Sequence, residues 1–166
     1  PFYLRQAFDL ENAKLLRPVV SFKNGWDASR AEFGRIAEQL GLAAKDGERA
    51  YTRAITEYRR FLEAYRARGR AVLETIAAHP EQTFVALLGR PYNAFSRDAN
   101  MGIPRKLLSQ GVSIVPFDLI YSSDDDIFPN MYWYYGQQDM KAVRQVKRTP
   151  NLYLTWVTNF SCAPDS

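Results

Sequence analysis

The sequence is short of the residues on which disulfide networks, metal sites and histidine-based catalysis depend. Its 166 residues include a single cysteine, Cys162, and a single histidine, His79. One cysteine excludes an intrachain disulfide framework and favours a reducing compartment. One thiolate is also too few to complete a zinc or iron–sulfur site, so any such site needs ligands from elsewhere.

Long apolar runs and blocks of one charge are absent as well. No stretch approaches the roughly 18 apolar residues that a membrane-spanning helix needs, and no signal-peptide pattern opens the sequence. The net charge is +4, with Lys and Arg interleaved with Asp and Glu, which favours an ordinary solvated surface over a nucleic-acid site. We therefore expect a cytoplasmic protein with no membrane and no nucleic-acid partner.

The pattern of apolar residues divides the chain into two parts. Residues 1–80 are predicted to be mostly helical, with one long helix at about 48–78 that Pro80 ends. Its apolar positions repeat at alternating spacings of four and three, which suits either a partner helix or packing along its own domain. The chain begins at Pro1 without an initiator Met, and we expect an excised fragment.

Residues 81–166 are predicted to form an α/β domain, truncated at its C-terminus. Three apolar runs predict buried strands at about 83–88, 112–117 and 152–157, with helices near 103–110 and 131–148 between them. Strands that alternate with helices form a parallel βαβαβ sheet, flanked by helices. The predicted fold class is α/β.

The loops that follow the three strands hold the candidate site residues. If the strands are parallel, all these loops lie at one edge, where open α/β sheets bind ligands. The candidates for substrate binding are Arg90, Tyr92, Asn93, Asp118 and Asn159, and the candidate for metal binding is Cys162. Arg90 suits an anion clamp or a buried ion pair, and Asp118 suits a base or a residue that positions a loop. The acidic run 124–126 suits a cation site or a solvated loop.

Cys162 allows two interpretations from the residues alone. An isolated cysteine commonly packs as a small buried hydrophobe. In a loop after a strand, backbone N–H groups can instead stabilise a thiolate. His79 is remote in the sequence and is expected at the opposite edge of the sheet, so it does not complete a nucleophilic pair with Cys162.

Four segments of the sequence, taken together, resemble a known protein family. The resemblance is close over residues 80–166 and looser over residues 1–25. It is to the 2-hydroxyacyl-CoA dehydratase-related region of large proteins of the acyl-CoA dehydratase activase-related family. The segments are Gly89-Arg90-Pro91-Tyr92-Asn93, Asn100-Met101-Gly102-Ile103-Pro104, Met131-Tyr132-Trp133 with Tyr135-Gly136-Gln137, and Thr158-Asn159-Phe160 with Cys162 and Pro164-Asp165-Ser166.

This resemblance implies flavodoxin-like domains that together hold a 4Fe–4S cluster through cysteines from different parts of a larger chain. Cys162 would be one ligand, and the isolated chain is expected to bind no stable cluster. The implied partners are the remaining domains of the same protein and an activator-type ATPase module, and the implied substrate is an acyl-CoA. In the dehydratases, the activator supplies one electron for removal of the 2-hydroxyl group from the CoA thioester.

Two functions therefore stand at this point. The first is a domain of an iron–sulfur enzyme of the dehydratase (lyase) type or of a related reductive system, inactive as this fragment. The second is a non-catalytic scaffold or electron-relay domain, whose long helix docks partners and whose cysteine is structural.

Overall fold

A computed structural model describes residues 13–120 and 128–158, together with Tyr3, Ala7 and Phe8. Contacts between residues divide the chain into two compact units, residues 1–62 and residues 63–166. The predicted boundary near residue 80 stays a prediction.

The first unit is built on a cluster of aromatic rings. A 3-10 turn at Trp26–Ser29 leads into helix α1, Arg30–Gln39. The Trp26 ring lies 5.0 Å from Phe22 and 5.4 Å from Tyr58, and the Tyr51 hydroxyl donates a hydrogen bond to the Trp26 carbonyl. These tilted and edge-on contacts bury aromatic surface, and they give a small unit its core.

Helix α2, Ala44–Ala78, is the long helix that the sequence predicts. It contains no proline, and His79-Pro80 follows its last turn. It begins four residues before the predicted start at about 48, so Gly47, which the prediction left outside the helix, lies within its first turns. A side chain at Gly47 would overlap the Phe33 carbonyl, so close packing within the first unit accounts for a residue that normally weakens a helix.

The second unit is an α/β fold, as predicted. Its described strands form a parallel sheet in the order β2-β1-β3, the order at the start of a flavodoxin-like sheet. The strands are β1 (Phe84–Gly89), β2 (Ser113–Pro116) and β3 (Leu152–Val157). The helices after α2 are α3 (Pro91–Phe95), α4 (Ile103–Ser109), α5 (Phe117–Ile120) and α6 (Tyr134–Lys147).

The core of this unit surrounds the central strand β1, all six residues of which are buried. Phe84, Ala86 and Leu88 share one face of the strand and join a cluster with Ile76 of α2 and Ala142 of α6. Val85 and Leu87 point to the other face and are also buried. Burial on both faces explains why the strand is continuously apolar rather than alternating.

Two segments that the sequence predicts as loops contain short helices. Residues 90–100 include α3, which begins with Pro91 in the first turn, where a missing N–H costs nothing. Asp118 lies in α5, directly after β2, instead of in a loop. Helix α6 starts at Tyr134 rather than near 131, because residues before it are held by side-chain hydrogen bonds described below.

Gly69 is where α2 meets the chain after β2. A Cβ atom at this position would overlap the carbonyl oxygen of Leu119 in α5. Glycine therefore allows the two backbones to approach closely.

We expect Gly69→Ala to destabilise the protein by about 1–3 kcal/mol because of this overlap. At an exposed helical position the same change would stabilise it by up to about 1 kcal/mol. Urea unfolding measures the difference. Ala67→Gly, at an exposed position of the same helix, is the control and should cost about 1 kcal/mol. A stabilised Gly69→Ala variant would contradict the close approach.

Candidate functional site

The carboxyl edge of the sheet is the candidate site. The chain passes from β1 to β2 on one side and then to β3 on the other side of β1. Such a reversal of strand order opens a crevice outside the carboxyl ends of the strands, which here are β1 and β3. Arg90 follows β1 directly, and Asp118 follows β2 after one residue. Asn159, Cys162 and the acidic run 124–126 lie outside the described residues, so their roles stay predictions.

Gly89 shapes the end of β1. It pairs with Val157 of β3, and a Cβ atom at Gly89 would overlap the Val157 carbonyl oxygen. Its φ of 136° is also one that other residues rarely adopt. Gly89, the glycine of the motif at residues 89–93, thus brings β1 and β3 close together at the crevice and turns the chain into Arg90.

Arg90 links this turn to helix α6. Its guanidinium carbon lies 5.7 Å from the centre of the Tyr135 ring, a cation–π distance. Its Nε atom is buried and has no hydrogen-bond partner in the described part of the chain. A structural ion pair, one of the two sequence-based interpretations of Arg90, is not among the ion pairs found for the described residues.

Tyr92 and Asn93 take opposite positions on α3. Tyr92 is 50% exposed, whereas Asn93 is 1% exposed. The Asn93 backbone N–H donates to the Arg90 carbonyl at 2.8 Å, but its side-chain nitrogen has no partner within the described ranges. Arg90 and Asn93 thus place unsatisfied buried donors after the same strand.

Asp118 is bound to the long helix. The Tyr65 hydroxyl of α2 donates to its carboxylate at 2.9 Å. Burial raises the pKa of Asp118 above its usual range, and the hydrogen bond from Tyr65 opposes this shift only in part. Burial and the neighbouring carboxylate also raise the pKa of the Tyr65 hydroxyl. The observed role of Asp118 is to fasten α5 to α2.

Residues of the motif at 131–137 support the site by fixing where helix α6 begins. Gln137 of α6 donates from its side-chain nitrogen to the carbonyls of Phe128 at 2.6 Å and Met131 at 2.8 Å. A Cβ atom at Gly136 would overlap the Met131 side chain. These contacts hold residues 128–133 outside the helix and fix the position at which Tyr135 enters α6.

Two residues of this edge, Tyr135 and Trp156, are not among the sequence-based site candidates. The sequence indicates only that residues 131–135 are chiefly packing residues, of which one tyrosine could reach the crevice, and it gives no sign of the contact between Tyr135 and Arg90. Trp156 lies in a predicted apolar strand, yet its indole nitrogen is buried without a partner among the described residues. A tryptophan in a predicted buried strand is itself a signal, because its N–H normally needs an acceptor.

The described residues hold no group of three His, Cys, Asp or Glu side chains that could bind a metal ion. None of the described helices is both long and apolar enough to cross a membrane.

Comparison with known families decides the relationship. The sequence model of a family described as "CoA enzyme activase uncharacterised domain (DUF2229)" matches residues 1–120. The chain belongs to this family. The match to the CoA enzyme activase domain includes α2 and extends through β1 and β2 to α5. No curated protein and no solved structure matches the chain.

We expect Tyr65→Phe to destabilise the domain at pH 7 by about 1–2 kcal/mol, since it removes a part-buried hydrogen bond to a carboxylate. Chemical unfolding gives the value. Tyr153→Phe removes a hydroxyl from a 56% exposed tyrosine and should change stability by less than about 0.5 kcal/mol. Equal effects of the two changes would argue against the bond.

The raised pKa of Asp118 predicts a pH dependence of stability. The folded state holds this proton more tightly than the unfolded state does, so stability should fall as the pH rises from about 4 through the folded pKa. Asp118→Asn keeps an acceptor for Tyr65 but removes the titration. We expect its stability relative to wild type to increase over that window in unfolding measurements. If the difference in stability between Asp118→Asn and wild type did not change with pH, the raised pKa of Asp118 would be contradicted.

Proposed function

We propose that this chain is a domain of an iron–sulfur protein related to the 2-hydroxyacyl-CoA dehydratases. In this proposal it contributes one cluster cysteine, Cys162, and a crevice at the carboxyl edge of the sheet. The whole protein would carry out ATP-driven reductive chemistry on a CoA thioester. Membership of the CoA enzyme activase domain family supports the relation, and the position of Arg90 over Tyr135 at the reversal of strand order supports the crevice.

The groups at the crevice suit a ligand with anionic and aromatic parts. Arg90 carries a permanent positive charge and a planar set of donors that match phosphate and carboxylate oxygens. Tyr92 is 50% exposed and Tyr135 is 39% exposed, so both offer ring surface on which a base can stack. Coenzyme A combines phosphates with an adenine ring, which is the reason for choosing this ligand class.

The cluster needs more than this chain supplies. A 4Fe–4S cluster is held by several cysteine thiolates, and Cys162 is the only cysteine of the 166 residues. The described residues also provide no alternative set of ligands. The residues of the chain alone therefore do not fit a complete cluster, and the other ligands must come from remaining domains of the same protein or a partner.

A scaffold or electron-relay domain with a structural cysteine is the second candidate. It is favoured by the apolar surface of β3, where Tyr153 is 56% and Leu154 is 42% exposed. A strand of this kind at a sheet edge suits contact with another domain.

We expect the isolated 166-residue chain to bind no stable 4Fe–4S cluster after anaerobic reconstitution, because it offers one thiolate. Iron, sulfide and absorbance measurements check this. A robust cluster signal from monomeric chain would contradict the proposed division of ligands.

The decisive experiment uses the longest natural protein that contains this chain. Anaerobic iron and sulfide analysis should show a cluster in the parent protein and a marked loss in Cys162→Ser, with Ser161→Ala as the neighbouring control. Unchanged iron content in Cys162→Ser would favour the scaffold. Binding of an acyl-CoA that weakens in Arg90→Gln would support the crevice independently of the cluster.

A further inference from the structure

Three buried nitrogen atoms without hydrogen-bond partners in the described structure belong to the carboxyl-edge region. They are Arg90 Nε, Asn93 Nδ2 and Trp156 Nε1. All three are N–H donors. A buried donor without an acceptor costs free energy comparable to a lost hydrogen bond, so each such group in a folded protein requires an explanation.

The register of the sheet places two of these donors, those of Arg90 and Trp156, on one side of it. Trp156 of β3 pairs with Leu88 of β1, and both side chains pack in the core that includes Ala142 of α6. Arg90 follows Leu88 by two residues, the period of a strand face, and contacts Tyr135 of the same helix. Asn93 follows Arg90 by three residues, in α3, and is 1% exposed.

Two positively charged features lie at this end of the sheet. Arg90 is cationic, and the N-terminus of the 14-residue helix α6 begins at Tyr134 without a side-chain cap from the described residues. The first turn of a helix attracts anions. The acidic residue of α6, Asp139, is buried one turn after Tyr135; its carboxylate, which interacts with other groups, opposes this attraction.

The geometry points to an oxyanion site, formed by Arg90, Asn93 and Trp156 beneath the start of α6, that takes a phosphoryl group. The donors come from a strand end, a short helix and a neighbouring strand. A tetrahedral oxyanion accepts hydrogen bonds on all sides, whereas a carboxylate accepts them mainly in one plane. The inference rests on the crevice of the proposed function but does not depend on Cys162.

Trp156 supplies a direct reporter of this site. The chain has three tryptophans, so a ¹⁵N-labelled sample gives three indole N–H resonances. Trp156→Phe assigns the relevant one. Should that variant fail to fold, Trp26→Phe and Trp133→Phe assign it by elimination. Trp26, in the first unit, serves as the internal control.

Inorganic phosphate is titrated into the 166-residue chain at constant ionic strength, with chloride as the balancing anion. We expect a saturable downfield shift of the Trp156 indole proton and no saturable shift for Trp26. The absence of a saturable Trp156 response would overturn the proposal. So would a Trp156 indole that exchanges with buried water and ignores phosphate, because water would then satisfy the donors.

Asn93→Asp tests the site without a large change of shape. It replaces one donor with a carboxylate that competes with the ligand, so the apparent Kd for phosphate should rise at least about tenfold. Asn24→Asp makes the same charge change at an exposed position and should leave the Kd unchanged. Equal affinity in wild type and Asn93→Asp would contradict the assignment.

Further titrations identify the source of the phosphoryl group. Tighter binding of AMP than of inorganic phosphate assigns the site to a phosphate ester, and the reverse order assigns it to the free anion. Acetate that binds as tightly as phosphate would overturn the phosphoryl assignment. A negative anion result leaves the cluster analysis of Cys162→Ser untouched, so the two proposals fail separately.

Discussion

The pairing of β1 on both of its edges is the constraint on which the second unit depends. A strand with neighbours on both sides and cover on both faces must be apolar throughout, as Phe84–Gly89 is. Its central position also fixes where the chemistry lies. Arg90, which follows the terminal Gly89 of β1, leaves the sheet at the reversal of strand order, between helix α6 and the end of β3.

The long helix α2 serves this arrangement from outside the sheet. Ile76 fills the core beside β1, and Gly69 and Tyr65 hold the chain that follows β2. Asn151, just before β3, donates to the carbonyls of Ile76 and His79 at 2.9 Å. The last turns of α2 thus fasten both strands that flank β1, and the apolar repeat along α2 reflects packing against its own unit in this region.

Much of the fold could be predicted because it follows from patterns that are local in sequence. Runs of apolar residues located all three strands, and Pro80 marked the end of the long helix. The parallel order followed from the helices between the strands. The predicted start of α2, at about 48, came four residues after the observed start at Ala44. Glycine usually weakens a helix, but Gly47 lies inside α2 because it packs closely against Phe33, and a contact of this kind has no local signature in the sequence.

The site was less predictable than the fold for the same reason. Arg90 and Asn93 were found because they follow a predicted strand. Their relation to Tyr135 and Trp156 depends on register and on where α6 begins, and Gln137 sets that start through hydrogen bonds to Phe128 and Met131. The carboxylate of Asp118 suggested a base or a residue that positions a loop, but the sequence could not indicate its partner, Tyr65, which lies 53 residues earlier.

The distance along the chain between paired strands has a consequence for biosynthesis. Phe84 pairs with Leu152, 68 residues further on. At translation rates of about 5–20 residues per second, β1 emerges from the ribosome roughly 3–14 seconds before its second neighbour. During that interval a hexapeptide that is wholly buried in the finished domain has only one edge that can be paired. The nascent chain therefore exposes an aggregation-prone apolar segment, and the yield of folded protein in cells should depend on chaperones that bind such segments.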